Sequence, residues 1–105
     1  DEANTTAFLA YYDVDQAQGT AYQMISLSGG DTDESTSGVL TLYAPSSTTY
    51  VKHFTARANC YWSSNYSMEF DTAGYINTTA AIDEISFKMS SGNIDDGTIK
   101  MFGVS

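Results

Sequence analysis

Most of the side chains that could do chemistry in this sequence are carboxylates, and they occur in short clusters. The clusters are Asp13/Asp15, Asp31/Asp33/Glu34, Asp83/Glu84 and Asp95/Asp96. Hard cations such as Ca²⁺ take several oxygen ligands from one or two loops. The two clusters nearest the N-terminus lack the EF-hand spacing, and aspartates also form turns that hold no metal. Calcium is therefore the one cofactor that the sequence leaves open, with Asp31, Asp33 and Glu34 as the predicted ligands.

A nucleophile and a base are both present, as Cys60 and His53, the only cysteine and the only histidine. Cys60 lies in an apolar alternation beside Trp62, which predicts a buried, inert thiol. His53 falls on the opposite face of the same predicted strand, and no disulfide can form within the chain. No acid pair has a glycosidase signature, and no phosphate-loop, zinc-protease or serine-hydrolase motif occurs. We therefore predict that the chain is not an enzyme.

Adjacent aromatic residues point to a different chemistry, the recognition of sugars or of another protein. One member of each adjacent pair on a strand must point outward. Tyr61, Trp62 and Tyr66 therefore predict a sugar-binding platform, unless they pack in cross-strand pairs. Tyr12 and Tyr61 are also predicted residues of a subunit contact.

The elements that must position these residues are strands, because apolar and polar residues alternate with a period of two almost throughout the chain. The predicted strands are residues 5–12, 20–28, 39–44, 49–62, 66–75, 82–89 and 98–104. A polar turn at 13–19, a loop at 29–38 and a proline-initiated turn at 45–48 separate the first four.

The strand at 49–62 is the most informative, because from Phe54 onward one of its faces is apolar over nearly ten residues. That face carries Phe54, Ala56, Ala58, Cys60 and Trp62, as expected of a strand with one buried side. The two alanines indicate that a facing layer approaches closely. Together the elements predict an all-β fold, an antiparallel β-sandwich or jelly roll of seven to eight strands, with residues 1–105 as one domain.

The charge of the chain limits its partners. Thirteen carboxylates against four lysines and arginines give a net charge of −9. Binding to a phosphate backbone requires clustered lysine and arginine, so we expect no nucleic-acid partner and no anionic membrane partner. No window approaches the roughly 20 apolar residues of a membrane span. Strong acidity favours a well-solvated exterior.

One part of the sequence resembles a known class of proteins. The stretch "AIDEISFKMSSGNIDDGTIKMFGV" (81–104) contains an Ile-x-x-Ile-x-Phe strand, a Gly-Asn-Ile-x-x-Gly-Thr loop and a final strand that ends in an aromatic residue followed by Gly-Val. It resembles the C-terminal hairpin of many bacteriophage virion surface proteins of β-sandwich or jelly-roll type, which typically end in a Leu-Tyr-Gly-Ile-like strand. Upstream, "AGYINTTAAIDEI" (73–85) fits the same pattern. The resemblance covers about thirty residues and includes no catalytic residue.

The resemblance implies a component of the outer surface of a phage particle, most of all a capsid decoration protein. Such proteins are commonly homo-oligomers, often trimers, which implies that the partners are other copies of the chain and the major capsid protein or other virion proteins. The alternative is a receptor- or carbohydrate-binding module of a tail or head fibre.

The final strand of this hairpin has large apolar groups on both faces. Gly92 and Gly97 permit the tight reversal before it. Met101 and Phe102 then point in opposite directions, so either both faces are buried within the domain or one meets another subunit. Phe102 and Val104 are therefore predicted residues of an oligomer or capsid contact.

Overall fold

A computed structural model describes residues 20–63 and 66–104, and the regular structure of these residues is one antiparallel sheet. Its strands are β1 (Ser35–Leu42), β2 (Lys52–Trp62) and β3 (Tyr66–Ile76), and their order in the sheet is their order in the chain. No α-helix occurs in the described residues, and none of these residues belongs to a helix that could span a membrane. The all-β fold class is confirmed.

Three of the predicted strands are confirmed, with shifted ends. The prediction at 39–44 corresponds to β1, and those at 49–62 and 66–75 correspond to β2 and β3. The two longest predicted strands, 49–62 and 66–75, are both among them.

The four remaining predicted strands are not seen as strands in the described part of the chain. Residues 20–28, 82–89 and 98–104 contain no strand in this structure, and residues 5–12 lie outside the described part of the chain. Alternation indicates only that one face of a segment is apolar. It does not supply the neighbouring backbone that a hydrogen-bonded ladder requires.

One face of the sheet, which we call the covered face, contains the buried side chains of β2. Ala56, Ala58 and Cys60 are 5%, 6% and 1% exposed, and the Cys60 thiol is free. Their strand neighbours on this face include Leu40 of β1 and Phe70 of β3. The alternation predicted for β2 and the buried thiol are both confirmed.

Part of the cover on this side comes from a segment that precedes β1. Residues 23–27 are half-buried, and the Thr36 hydroxyl of β1 donates a hydrogen bond of 2.7 Å to the Leu27 carbonyl. Tyr22 connects this segment to the region after β3, because its hydroxyl lies 3.1 Å from the Ser86 hydroxyl and its ring lies 4.3 Å below the Lys88 ammonium. Two irregular segments are thus held to each other by polar contacts.

Gly38 of β1 marks a very close approach of two backbones. A Cβ built on Gly38 would lie 2.7 Å from the Arg57 carbonyl oxygen and 2.9 Å from the Ala58 Cα. Gly74 of β3 is different, because there a Cβ would meet the ring of Phe54 at 3.0 Å. The ring of Phe54 therefore covers Gly74, while the nearest atoms to Gly38 are backbone.

A buried lysine closes the end of the sheet where β2 begins. Lys52 has no exposed surface, and its ammonium donates hydrogen bonds to the carbonyls of Tyr50 at 3.0 Å and Thr78 at 3.2 Å. Nearby, the Ile82 N–H donates to the Pro45 carbonyl at 2.8 Å. The chain that leaves β3 is thereby tied to the loop between β1 and β2.

The loop between β1 and β2 begins with the turn expected from its proline. The Ser47 N–H donates to the Ala44 carbonyl at 3.0 Å, with Pro45 between them at the position that proline favours. Ala44 has a φ of 47°, in the left-handed region that non-glycine residues rarely adopt. The Ser47 hydroxyl accepts the N–H groups of Thr49 and Tyr50, which completes the reversal.

The close approach at Gly38 can be tested by adding one methyl group. We expect Gly38→Ala to lower the free energy of unfolding by about 1–3 kcal/mol, because the methyl group meets backbone atoms that move only if the ladder shifts. Urea denaturation followed by circular dichroism measures the change. Gly30→Ala is the matched control, since a Cβ there meets nothing within 4 Å. Equal stability of the two variants would contradict the close approach.

The role of the buried lysine can be tested by removing its charge while keeping its length. We expect Lys52→Met to lower the free energy of unfolding by about 1–3 kcal/mol, because the carbonyls of Tyr50 and Thr78 lose a charged donor. Lys88→Met, at an exposed position, should change stability far less. If Lys52→Met unfolded at the wild-type urea concentration, the two hydrogen bonds would not contribute to stability.

Candidate functional site

The side of the sheet opposite the covered face, which we call the open face, is polar and almost entirely exposed. Residues with odd numbers in all three strands form it, because the register pairs odd with odd throughout. They are Ser35, Ser37, Val39 and Thr41 of β1, His53, Thr55, Arg57, Asn59 and Tyr61 of β2, and Ser67, Glu69, Asp71, Ala73 and Tyr75 of β3. Only Tyr61 among them is half-buried.

At the centre of the open face, one guanidinium serves two carboxylates. Arg57 Nε donates to Glu69 Oε1 at 2.5 Å and lies 3.5 Å from Asp71 Oδ1. The hydrogen bond to Glu69, and then the negative charges of Glu69 and Asp71, raise the pKa of Arg57 above its usual value. We call these three residues the charged triad. With one positive and two negative charges, it has a formal charge of −1.

A second polar contact lies beside the charged triad, nearer the end of β2. The Asn59 amide lies 3.3 Å from both the Ser67 hydroxyl and the Met68 carbonyl. This amide therefore bridges β2 and β3 beside the charged triad.

The other end of the open face is aromatic. His53 and Tyr75 are strand partners, and their rings are 6.1 Å apart at an interplanar angle of 53°. The Tyr43 N–H donates to the His53 carbonyl at 2.9 Å, which extends the pairing of β1 and β2 by one residue and assigns Tyr43 to the same face. The register thus aligns Tyr43, His53 and Tyr75 across this end of the sheet, and we call these three residues the aromatic row.

A shallow concavity of about 410 Å³ lies between the aromatic row and the charged triad. Short side chains form its floor, and its lining residues are Val39, Thr41, Thr55, Ala56, Arg57, Asp71, Thr72 and Ala73. Its volume is within the range of small-molecule sites, about 300–1,000 Å³. Hydroxyls, a carboxylate and a guanidinium at its wall can exchange hydrogen bonds with a polyhydroxy ligand.

The predicted sugar platform is divided between the two faces of the sheet. Trp62 and Tyr66 are strand partners on the covered face, whereas Tyr61 lies on the open face. Trp62 is half-buried, and Tyr66 is 60% exposed. The structure therefore brings Trp62 and Tyr66 together and separates Tyr61 from both.

The predicted contact residues near the end of the chain are highly exposed. Phe102 is 79% exposed and Val104 is 96% exposed. Tyr61 is half-buried, and Tyr12 lies outside the described residues. Gly92 has the positive φ, 73°, that the expected reversal requires, although no ladder joins the two segments that flank it.

The acidic turn before β1 is organised by its own backbone. The Asp31 N–H donates to Glu34 Oε2 at 3.1 Å, and the Glu34 N–H donates to the Asp31 carbonyl at 3.1 Å. Within the described part of the chain, no three histidine, cysteine or acidic side chains are grouped as a metal site. Calcium at Asp31, Asp33 and Glu34 stays a prediction.

Cys60 and His53 are not brought together, because their side chains lie on opposite faces of β2. The charged triad and the aromatic row were not predicted from the sequence, and only the connection between β2 and β3 could have indicated them. A turn that pairs Trp62 with Tyr66 also requires Arg57 to pair with Asp71 and His53 to pair with Tyr75.

In comparisons with protein-family models, with curated proteins and with solved structures, no match was found.

Proposed function

We propose that this protein is a structural component of the outer surface of a bacteriophage particle, most of all a capsid decoration protein. In this role it is not an enzyme. Its partners are further copies of itself, with a trimer favoured, and the major capsid protein or other virion proteins. The resemblance of residues 81–104 suggests this role, and the exposure of apolar side chains in the same region supports it.

The observation that carries the proposal is the exposure of the last apolar residues. Ile99, Met101, Phe102 and Val104 are between 68% and 96% exposed, and they follow one another within six residues. Soluble monomers rarely expose large contiguous apolar patches, and such patches mark surfaces that meet another protein. Of the two alternatives for the final segment, burial within the domain and contact with another subunit, this exposure favours the second.

The proposal also includes a complete fold that is larger than the three-stranded sheet. The sheet of β1, β2 and β3 is one layer of a β-sandwich or jelly roll of seven to eight strands. Residues 20–28, 82–89 and 98–104 have the alternation of the missing strands, and they gain ladder partners when copies assemble. A negative net charge keeps the assembled exterior solvated and disfavours binding to the nucleic acid inside a capsid.

The proposal predicts the effect of making the final segment polar. We expect the double variant Phe102→Ser/Val104→Ser to keep the wild-type circular dichroism spectrum, because both side chains are exposed. It should lose self-association and binding to phage capsids that lack the protein. Light scattering coupled to size-exclusion chromatography measures the first effect, and co-sedimentation with capsids measures the second.

Val39→Ser is the matched control for this double variant. Val39 is an apolar residue, 70% exposed, that lies on the sheet and outside the final segment. The control variant should assemble and bind capsids as the wild type does. A wild-type protein that stayed monomeric at high concentration and did not add to capsids would refute the proposed function.

Neutral glycan binding is the second candidate function, and the concavity on the open face favours it. Tyr75 and Tyr43 are 58% and 51% exposed at the aromatic end, and polar groups line the wall. Sugars stack on such rings while their hydroxyls bond to polar side chains. The negative charge of the chain disfavours anionic glycans, so the ligand class is a neutral saccharide.

This second function predicts that one exposed ring is required. We expect Tyr75→Ala to abolish binding to a neutral glycan on a glycan array while the protein stays folded. Tyr50→Ala, which removes a ring that is 73% exposed in the loop before β2 and outside the open face, is the control. Trp62→Ala tests the platform predicted from sequence. If no neutral glycan bound the wild type, this candidate would be excluded.

A further inference from the structure

β3 presents a long edge at one side of the sheet. It has eleven residues and pairs along its whole length with β2. In the described part of the chain, no strand pairs with its other side. The outer edge of a strand carries a row of backbone N–H and C=O groups that can accept a further strand. β3 contains no proline, so each of its residues keeps a backbone N–H.

The charged triad leaves one carboxylate near this edge without full compensation. Glu69 accepts the hydrogen bond from Arg57, whereas Asp71 lies 3.5 Å from the same nitrogen. Asp71 has 67% of its side chain exposed and is on the edge strand itself. The side chain that would complement it is a cation on the neighbouring strand, on the same face.

Residues 98–104 have the pattern of such a strand. Lys100 is exposed and forms no ion pair with another described residue. It alternates with the apolar Ile99 and Met101, and Phe102 follows on its own side. The β1 edge lacks this complementarity, because the side chains of β1 on the open face are Ser35, Ser37, Val39 and Thr41.

We propose that residues 98–104 of a second copy of this chain add to the edge of β3, with Lys100 beside Asp71 on the open face. In a parallel register, Phe102 then lies beside Ala73 and Val104 beside Tyr75. Ile99 falls beside Phe70 on the covered face. The addition joins the outer edge of β3, a carboxylate that is only partly compensated and an exposed apolar segment in one contact.

The occupant is a second copy because each chain leaves its own edge free of this segment. Residues 98–104 are exposed and form no ladder with β3 of the same chain, while Ile82 and Ser86 hold the preceding segment to Pro45 and Tyr22. This inference rests on the proposed homo-oligomeric assembly and specifies the surface that makes it.

Charge reversal on each side of the contact tests the inference. We expect Lys100→Glu and Asp71→Lys each to weaken self-association about tenfold at low salt, since each variant places like charges side by side. The double variant Lys100→Glu/Asp71→Lys should associate as the wild type does. Analytical ultracentrifugation over a concentration series measures all three, with Lys88→Glu and Asp83→Lys as controls that keep wild-type association.

Mixing the two single variants separates contact between copies from contact within one chain. An equimolar mixture should associate more tightly than either variant alone, because opposite charges then meet in every contact between unlike copies. The glutamate introduced at position 100 meets the lysine introduced at position 71 of the other variant, and the unchanged Lys100 meets the unchanged Asp71.

Two results of these experiments have different consequences. If the mixture were as weak as its components while the wild type associates, the inference would be wrong and the assembly role would stand. Capsid binding of the wild type is measured separately. If the mixture associates tightly but the wild type does not bind capsids, the proposed function is overturned and the inference on the contact stands.

Discussion

The register of β2 against its two neighbours is the constraint on which every other feature of the protein depends. Trp62 pairs with Tyr66, and from that pair onward Cys60 meets Met68 while Arg57 meets Asp71. A slip of one residue would exchange the two faces of the strand, because side chains alternate with a period of two. It would carry the guanidinium into the covered face, and burying an unpaired charge costs far more than the slip could recover.

The covered face is stabilised by close approach more than by large side chains. Among the described residues, the buried apolar side chains are Ala56, Ala58 and Cys60, all of them small. Hydrophobic stabilisation scales with the apolar area removed from water, at about 25 cal/mol per Å². Lys52 is the largest fully buried side chain in residues 20–63 and 66–104, and its ammonium donates hydrogen bonds to two carbonyls. A sheet with this composition gains much from a partner that covers its remaining apolar side chains.

What the sequence could predict was the behaviour of single strands, and what it could not predict was how two segments meet. The alternation in 49–62 correctly placed Cys60 and His53 on opposite faces, and Pro45 correctly marked a turn. The pairing of Arg57 with Asp71 depends on the connection between two strands, which no pattern within either strand specifies. Residues 82–89 and 98–104 have the strand pattern without a ladder, because a pattern does not determine which backbone lies beside it.

Asp71 belongs to both surfaces proposed for the protein, since it lines the concavity and lies on the edge strand. A strand added beside β3 would widen the open face next to Asp71 and bring Lys100 and Phe102 of a second copy to the rim of the concavity. Ligand sites bury most of the surface of their ligand, and the depression on one chain is shallow. If both proposals hold, assembly would add a wall from a second copy to the concavity, and an oligomer would bind a saccharide more tightly than a single chain would.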